Sequence, residues 1–110
     1  MNRGQKGAWG EKIIALWLQL HGWKILHKNY QSSLGEIDLI AKRKNMLCAF
    51  EIKWRKHHDA DPVTFVQKQR IKRSFEAYIA RNPSIAKTYR IDLIIYHPPF
   101  YIKHIPNAWH

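Results

Sequence analysis

The chain has 110 residues, 45% of them hydrophobic and five of them Trp, which predicts a single folded domain over residues 1–110 and argues against disorder. Its one cysteine, Cys48, excludes a disulfide framework and a cysteine-based zinc site and favours a reducing, cytoplasmic location. Nineteen Lys and Arg against eight Asp and Glu give a formal net charge of +11. That charge predicts a polyanionic partner, nucleic acid rather than a membrane, because no segment has the pattern of a membrane-spanning or basic amphipathic helix.

The first part of the chain predicts one helix and the start of a sheet. Residues 1–6 are expected to form a flexible basic tail. Residues 7–21 have the apolar spacing of a helix, and Gly22 suits the position just after its end. Residues 23–30 then predict a strand, which is followed by a turn over residues 31–35.

Residues 35–54 predict a β-hairpin with Lys44 and Asn45 as a two-residue turn. In that register the numbers of paired residues add up to 89. The expected pairs are Asp38 with Glu51, Glu36 with Lys53, Ile37 with Ile52, Leu39 with Phe50, and Ile40 with Ala49. Because side chains alternate along a strand, the register that gathers the apolar residues on one face also gathers the charged residues on the other.

The last part of the chain predicts a helix between two further strands. Thr64 and Gln67 match a capping box after a polar loop, so we expect a helix from there to Arg81. Residues 89–96 predict a buried strand, and residues 100–105 a last short one. The order is αβββαβ with one extra strand, and a crossover through the second helix would make the third and fourth strands parallel. The fold class is therefore α/β, with a mixed central sheet flanked by helices.

The charged face of the hairpin predicts a metal site. Asp38 and Glu51 would repel each other if they were directly opposite, and a bound divalent cation would remove that penalty. Carboxylates at this separation suit a hard cation, Mg²⁺ with Mn²⁺ as a substitute. Lys53 would orient a water or stabilise charge on a phosphate. The alternative is a solvated charged face on which Glu36 and Lys53 form an ordinary ion pair.

Two polar residues outside the hairpin bear on the same site. Glu11 lies on the helical stripe of Ile14 and Leu18, so its carboxylate is expected to point toward the sheet, where an unpaired charge is costly. Gln67 shares a stripe with Ile71, and we regard it as a secondary candidate whose simpler role is the capping box.

Six segments in order resemble the YraN-like family of uncharacterised bacterial proteins. They are "GAWGEKIIALWL", "GEIDLIA", "FEIKWR", "KQRIKRSFEAYI" with "RIDLI", and the closing "HIPNAW". The match runs from residue 4 to residue 109. That family in turn resembles the PD-(D/E)xK nucleases, and among them the archaeal Holliday-junction resolvases. Two positions depart from the nuclease pattern: Ile37 stands where a proline precedes the first acid, and Ile52 stands where valine is commoner.

The resemblance implies a restriction-endonuclease-like core and a Mg²⁺-dependent endonuclease that hydrolyses DNA, with branched or structured DNA as the candidate substrate. It implies that Asp38 and Glu51, with the Ile52 carbonyl, hold Mg²⁺, that Lys53 is the catalytic lysine and that Glu11 assists the metal. It also makes a homodimer an expected state, since resolvases cut two strands symmetrically.

Basic residues near these positions are predicted to contact backbone phosphates, with DNA favoured over RNA. They are Arg43, Lys44, Arg55, Lys56, Lys68, Arg70, Lys72 and Arg73. Two other functions stay open: a nucleic-acid-binding module without turnover, and a scaffold that pairs with another protein. The neighbouring His57 and His58 are expected to lie in a polar loop rather than to bind metal.

Overall fold

A five-stranded mixed sheet with one helix on each face forms the fold. The structure, a computed structural model, describes residues 3–55, 64–99 and 101–108, and for residues 3–8 it describes the backbone alone. The elements are α1 (Arg3–Leu20), β1 (Lys24–Ser32), β2 (Gly35–Arg43), β3 (Met46–Trp54), α2 (Phe65–Arg81), β4 (Thr88–His97) and β5 (Tyr101–Ile105). This is the predicted order of helix, three strands, helix and two strands.

Two boundaries differ by more than one residue from those predicted. Helix α1 begins at Arg3 rather than at Gly7, so residues 3–6 continue the helix instead of belonging to a tail. Adding residues to a helix that is already nucleated costs little, which is why weak local propensity did not mark its start. Strand β1 extends to Ser32, so the turn before β2 is shorter than expected. A polar loop was predicted after Arg55, and its residues 56–63 lie outside the described part of the chain.

The strands lie in the sheet in their chain order. Strands β1, β2 and β3 pair antiparallel, β3 pairs with β4 in parallel, and β5 closes the sheet antiparallel to β4. The parallel pair confirms the predicted crossover through α2. That crossover places α2 on one face of the sheet and leaves the other face to α1.

Each helix covers its own apolar core. Ile14 and Leu18 of α1 pack with Leu39 and Phe50 on one face of the sheet, and all four are fully buried. Residues of α2 pack against the other face, which carries Ile37, Ile40, Leu47, Ala49 and Ile91. Ile40 and Ala49 had been expected on the charged face of the hairpin and Ile37 on the opposite face with Leu39, so the packing of Ile37 with Ile40 under α2 departs from strict alternation along β2. The predicted charged face is therefore buried under α2 where it carries Ile40 and Ala49. Its charged residues Asp38, Glu51 and Lys53 lie beyond these two, on the side away from the hairpin turn.

Helix α1 approaches the sheet closely at Gly10. A Cβ atom at this position would lie 3.1 Å from the ring of Trp54, which also packs edge-on against Tyr96. Trp54 therefore belongs to the core on the α1 side. Within the described part of the chain, neither helix combines the length and apolar character that crossing a bilayer requires.

A candidate active site where two strands part

The hairpin register is the one predicted, but its ladder is shorter. Strands β2 and β3 pair from Arg43 with Met46 to Leu39 with Phe50, and each of these pairs adds up to 89. The ladder does not continue to the three expected pairs of Asp38 with Glu51, Ile37 with Ile52 and Glu36 with Lys53, so these were wrong as strand partners. In the turn, the left-handed residue is Lys44 rather than Asn45.

Asp38 ends the ladder through its side chain. Its Oδ2 accepts a hydrogen bond of 2.8 Å from the backbone N–H of Ile52. An ionised carboxylate is a stronger acceptor than a carbonyl, so it replaces the strand partner that this N–H would otherwise have. The two strands part at this point, and the bond holds the Asp38 carboxylate beside β3.

Asp38 and Glu51 are thereby brought together in a half-buried position. Burial raises the pKa of Asp38, and the negative charges of Glu11 and Glu36 act in the same direction. The pKa of Glu51 is raised to about 8, first by burial and then by the charge of Asp38, while Lys53 partly offsets both. Hydrogen bonding between the two carboxyl groups is a further cause. The two acids thus influence each other's ionisation although their backbones are not paired.

Lys53 lies beside the pair, as expected. Its Nζ is 3.3 Å from Glu51 Oε1, and the two side chains are 18% and 12% exposed. Glu36 is exposed and lies opposite Gln31 of β1. The alternative in which Glu36 and Lys53 neutralise each other is therefore wrong: the lysine is held at the buried acid.

Glu11 reaches the site from α1. Its Oε2 accepts a hydrogen bond of 3.1 Å from Nδ2 of Asn29, a residue of β1. Its negative charge contributes to the raised pKa of Asp38. Within residues 3–55, 64–99 and 101–108, however, no three His, Cys, Asp or Glu side chains are close enough to share one ion. Asp38 and Glu51 thus form the core of the site, and Glu11 stands at its border.

The donors at this site suit a hard cation. Two carboxyl groups and a nearby main-chain carbonyl are oxygen ligands of the kind that Mg²⁺ binds, and Mg²⁺ keeps several waters when the protein supplies few ligands. The raised pKa values of both acids mean that their shared negative charge is unfavourable in the protein alone. A cation between them would remove that cost, so the residues fit the metal.

Gln67 has the simpler of its two expected roles. Its Oε1 accepts from the backbone N–H of Thr64, and its own N–H donates to Thr64 Oγ1. This reciprocal pair is the predicted capping box at the start of α2. The side chain is therefore engaged at the helix end.

The basic residues predicted to contact phosphates fall into two regions. Arg43 and Lys44 lie at the turn of the hairpin, at the opposite end of β2 from Asp38. Arg43 donates to the His21 carbonyl at 3.3 Å and stacks 4.3 Å from the ring of Trp23, so it also has a packing role.

The second region follows the sequence from the end of β3 into α2. Arg55 donates to the Trp54 carbonyl, and Lys68 is half-buried. The remaining cations, Arg70, Lys72 and Arg73, are exposed on α2. Lys56 lies outside the described residues, as do His57 and His58.

Sequence reasoning missed another carboxylate, that of Asp92 in β4. It is fully buried and accepts hydrogen bonds from Arg90 at 2.7 and 2.8 Å, from the Asn107 backbone N–H at 2.8 Å, and contacts His104 Nε2 at 2.7 Å. Burial would raise the pKa of Asp92, but these partners outweigh it and lower the pKa to about 2. An acid inside an otherwise apolar strand was the available signal. Because these contacts engage both of its carboxylate oxygens, Asp92 acts as a structural anchor.

The fold and site define a small α/β protein with a half-buried pair of acids and an adjacent lysine where the pairing of β2 with β3 ends. Residues 10–96 match the model of a family described as "Uncharacterised protein family UPF0102". The chain belongs to this family, which confirms the YraN-like resemblance.

Relatives extend over nearly the whole chain. A UPF0102 protein of Erythrobacter litoralis is 37% identical over 108 residues, covering 96% of this chain and 92% of its own. A UPF0102 protein of Clostridioides difficile is 35% identical over 114 residues, covering 99% of this chain and 100% of its own. The similarity thus includes both helices and all five strands.

Proposed function

We propose that this protein is a Mg²⁺-dependent endonuclease that hydrolyses phosphodiester bonds in DNA. The observation that carries the proposal is the pair Asp38 and Glu51, two carboxyl groups held together under burial with Lys53 at 3.3 Å from Glu51. Maintaining such a pair costs stability unless a ligand uses it. Perturbed acids with a specific cationic neighbour are characteristic of functional sites.

Each side chain has a part that its surroundings support. Asp38 and Glu51 bind the cation, and the bond from the Ile52 N–H fixes the Asp38 carboxylate for that purpose. When bound, Mg²⁺ supplies Lewis-acid chemistry that lowers the pKa of water and offsets charge on a phosphate. Lys53 orients the attacking water or stabilises the phosphate oxygen on which charge develops. Glu11 supports the cation from the side of α1.

The charge of the chain supplies the affinity for substrate. With a net charge of +11, the protein is expected to bind the phosphate backbone without reading its sequence. Arg55, two residues after Lys53, and then Lys68 and the exposed cations of α2 follow the site in sequence and are its candidate phosphate contacts. The buried, reduced Cys48 fits a cytoplasmic location.

A substrate panel with one matched pair of variants tests the proposal. Linear, single-stranded, flap and four-way-junction DNA, and RNA, are incubated with protein in Mg²⁺ or Mn²⁺. We expect wild-type protein to cleave at least one DNA and Asp38→Asn to lose at least a hundredfold in rate, on the order of what removal of one key electrostatic group costs. Glu36→Gln removes the same charge at an exposed position and should cleave normally. No cleavage of any substrate by wild-type protein would contradict the proposal.

A second candidate is a nucleic-acid-binding module without turnover. It is favoured by the absence, within the described ranges, of any third His, Cys, Asp or Glu close enough to complete a metal-binding cluster. It predicts tight DNA binding that does not respond to Mg²⁺ and is retained in Asp38→Asn. The same panel, read by gel shift as well as by cleavage, separates the two.

A further inference from the structure

Asn29 has an unusual backbone for a residue inside a strand. It lies within β1 with φ of 51°, in the left-handed region. Non-glycine residues adopt this region at a cost of about 1 kcal/mol or more, and Asn is among those that tolerate it best. Such conformations persist where the surrounding structure fixes them, and they concentrate at functional sites.

The position of Asn29 in the sheet places it next to the acids. Strand β1 pairs with β2 through Lys28 with Leu39 and through Tyr30 with Ile37. Between these two pairs lie Asn29 on β1 and Asp38 on β2, so the two residues are neighbours across the two strands. The amide Nδ2 of Asn29 donates to Glu11 Oε2 at 3.1 Å. Among the described residues, Asn29 thus makes the hydrogen bond that connects Glu11 of α1 to β1, the strand beside Asp38.

We infer that Asn29 is a positioning residue that holds the Glu11 carboxylate at the border of the cation site formed by Asp38 and Glu51, where it would accept hydrogen bonds from the waters that a bound cation keeps. The inference rests on the proposed function. An amide donor suits this task because it holds an ionised carboxylate without neutralising it. Outer partners of a metal site typically change metal affinity or activity by 10- to 100-fold when they are removed. Asn29 itself touches neither substrate nor metal.

The test compares two Asn→Gly substitutions. Asn29→Gly removes the amide but keeps a residue that tolerates positive φ, so the backbone is preserved. Asn107→Gly makes the same change at another left-handed asparagine, whose backbone N–H donates to Asp92 rather than to a residue of the proposed cation site. Mn²⁺ affinity is measured by the electron paramagnetic resonance of free Mn²⁺, which does not depend on turnover. We expect binding about 10- to 100-fold weaker in Asn29→Gly and unchanged in Asn107→Gly.

A double substitution shows whether Asn29 acts through Glu11. In a Glu11→Ala background, Asn29→Gly should weaken Mn²⁺ binding no further. Independent losses in the two variants would overturn the inference, as would an unchanged affinity in Asn29→Gly. The proposed function fails separately: wild-type protein that binds no Mn²⁺ would overturn both, whereas wild-type binding with an unaffected Asn29→Gly would overturn the positioning role alone.

Cleavage gives a second readout of the same role. The Mg²⁺ concentration for half-maximal cleavage should rise in Asn29→Gly by the same factor as the Mn²⁺ dissociation constant, while the rate at saturating Mg²⁺ stays near that of wild-type protein. A lower rate at saturation with an unchanged Mg²⁺ requirement would contradict a role in holding Glu11.

Discussion

Glu51 shows at the scale of one residue how burial and a neighbouring acid combine. It is 12% exposed, its pKa is raised to about 8, and Lys53 beside it only partly offsets the effects of burial and of Asp38. In an unfolded chain its pKa would return to about 4.5. The folded state therefore binds a proton at Glu51 over a pH range in which the unfolded state does not, and stability is linked to pH.

The first prediction concerns the pH dependence of stability in metal-free protein. Because the folded pKa of Glu51 is the raised one, its contribution is fully present below about pH 4.5 and is lost as pH rises toward about 8. We expect the free energy of unfolding, measured by urea denaturation with chelator present, to fall from pH 5 to pH 8. Glu51→Gln should flatten that slope, and Mg²⁺ should restore stability to wild-type protein at pH 8. A wild-type stability that rises over this range would contradict the raised pKa.

At the scale of elements, the sequence predicted what local pattern determines. Alternation of apolar residues in the hairpin predicted its register, and Thr64 with Gln67 predicted the start of α2. The end of the β2–β3 ladder was not predictable in this way. It depends on the Asp38 side chain replacing a strand partner at Ile52, a contact that pairing rules do not contain.

Asn29 and Asp92 escaped sequence reasoning for related reasons. The place of Asn29 depends on a left-handed backbone and on a partner from α1. Besides Arg90 on its own strand, the partners of Asp92 come from β5 and from Asn107 beyond it. In both cases the contact joins elements that are distant in sequence. Asn inside a strand, where its propensity is low, was the only local signal for the first.

The second prediction tests whether Asp92 anchors β5. Asp92→Asn removes the charge that binds Arg90 and His104 together, and breaking a buried ionic network by changing one partner costs about 3–5 kcal/mol. We expect a loss of that order in the free energy of unfolding at pH 7, measured by urea denaturation. Glu36→Gln, which changes an exposed acid in the same way, should stay within about 0.5 kcal/mol of wild-type protein. Equal stabilities of the two variants would show that the network is dispensable.

At the scale of the whole molecule, the distribution of charge distinguishes a nuclease from a nucleic-acid-binding module and from a protein scaffold. A net charge of +11 over 110 residues favours association with nucleic acid through many weak phosphate contacts. The carboxylate pair is a local negative exception within this field. A binding module or a scaffold has no need of such a pair, whereas a hydrolase that uses a divalent cation does.

The third prediction concerns salt. DNA affinity, measured by fluorescence anisotropy in EDTA so that no cleavage occurs, should fall at least tenfold between 50 and 200 mM salt, since each phosphate contact adds about 0.9 to the logarithmic slope. Arg70→Ala and Arg73→Ala should each reduce that slope by about one. Lys103→Ala removes an exposed cation of β5 and serves as the control. Weak binding that does not depend on salt would favour the scaffold.

Lys53 gives the most direct test of the central claim, because it separates chemistry from binding. Lys53→Met keeps the length of the side chain and removes the ammonium group, while Asp38, Glu51 and the basic surface are left in place. Nicking of supercoiled plasmid in Mg²⁺ and DNA affinity in EDTA are measured for wild-type and variant protein side by side. The claim predicts that nicking falls by at least two orders of magnitude while affinity changes less than threefold. Nicking by Lys53→Met at the wild-type rate would contradict it.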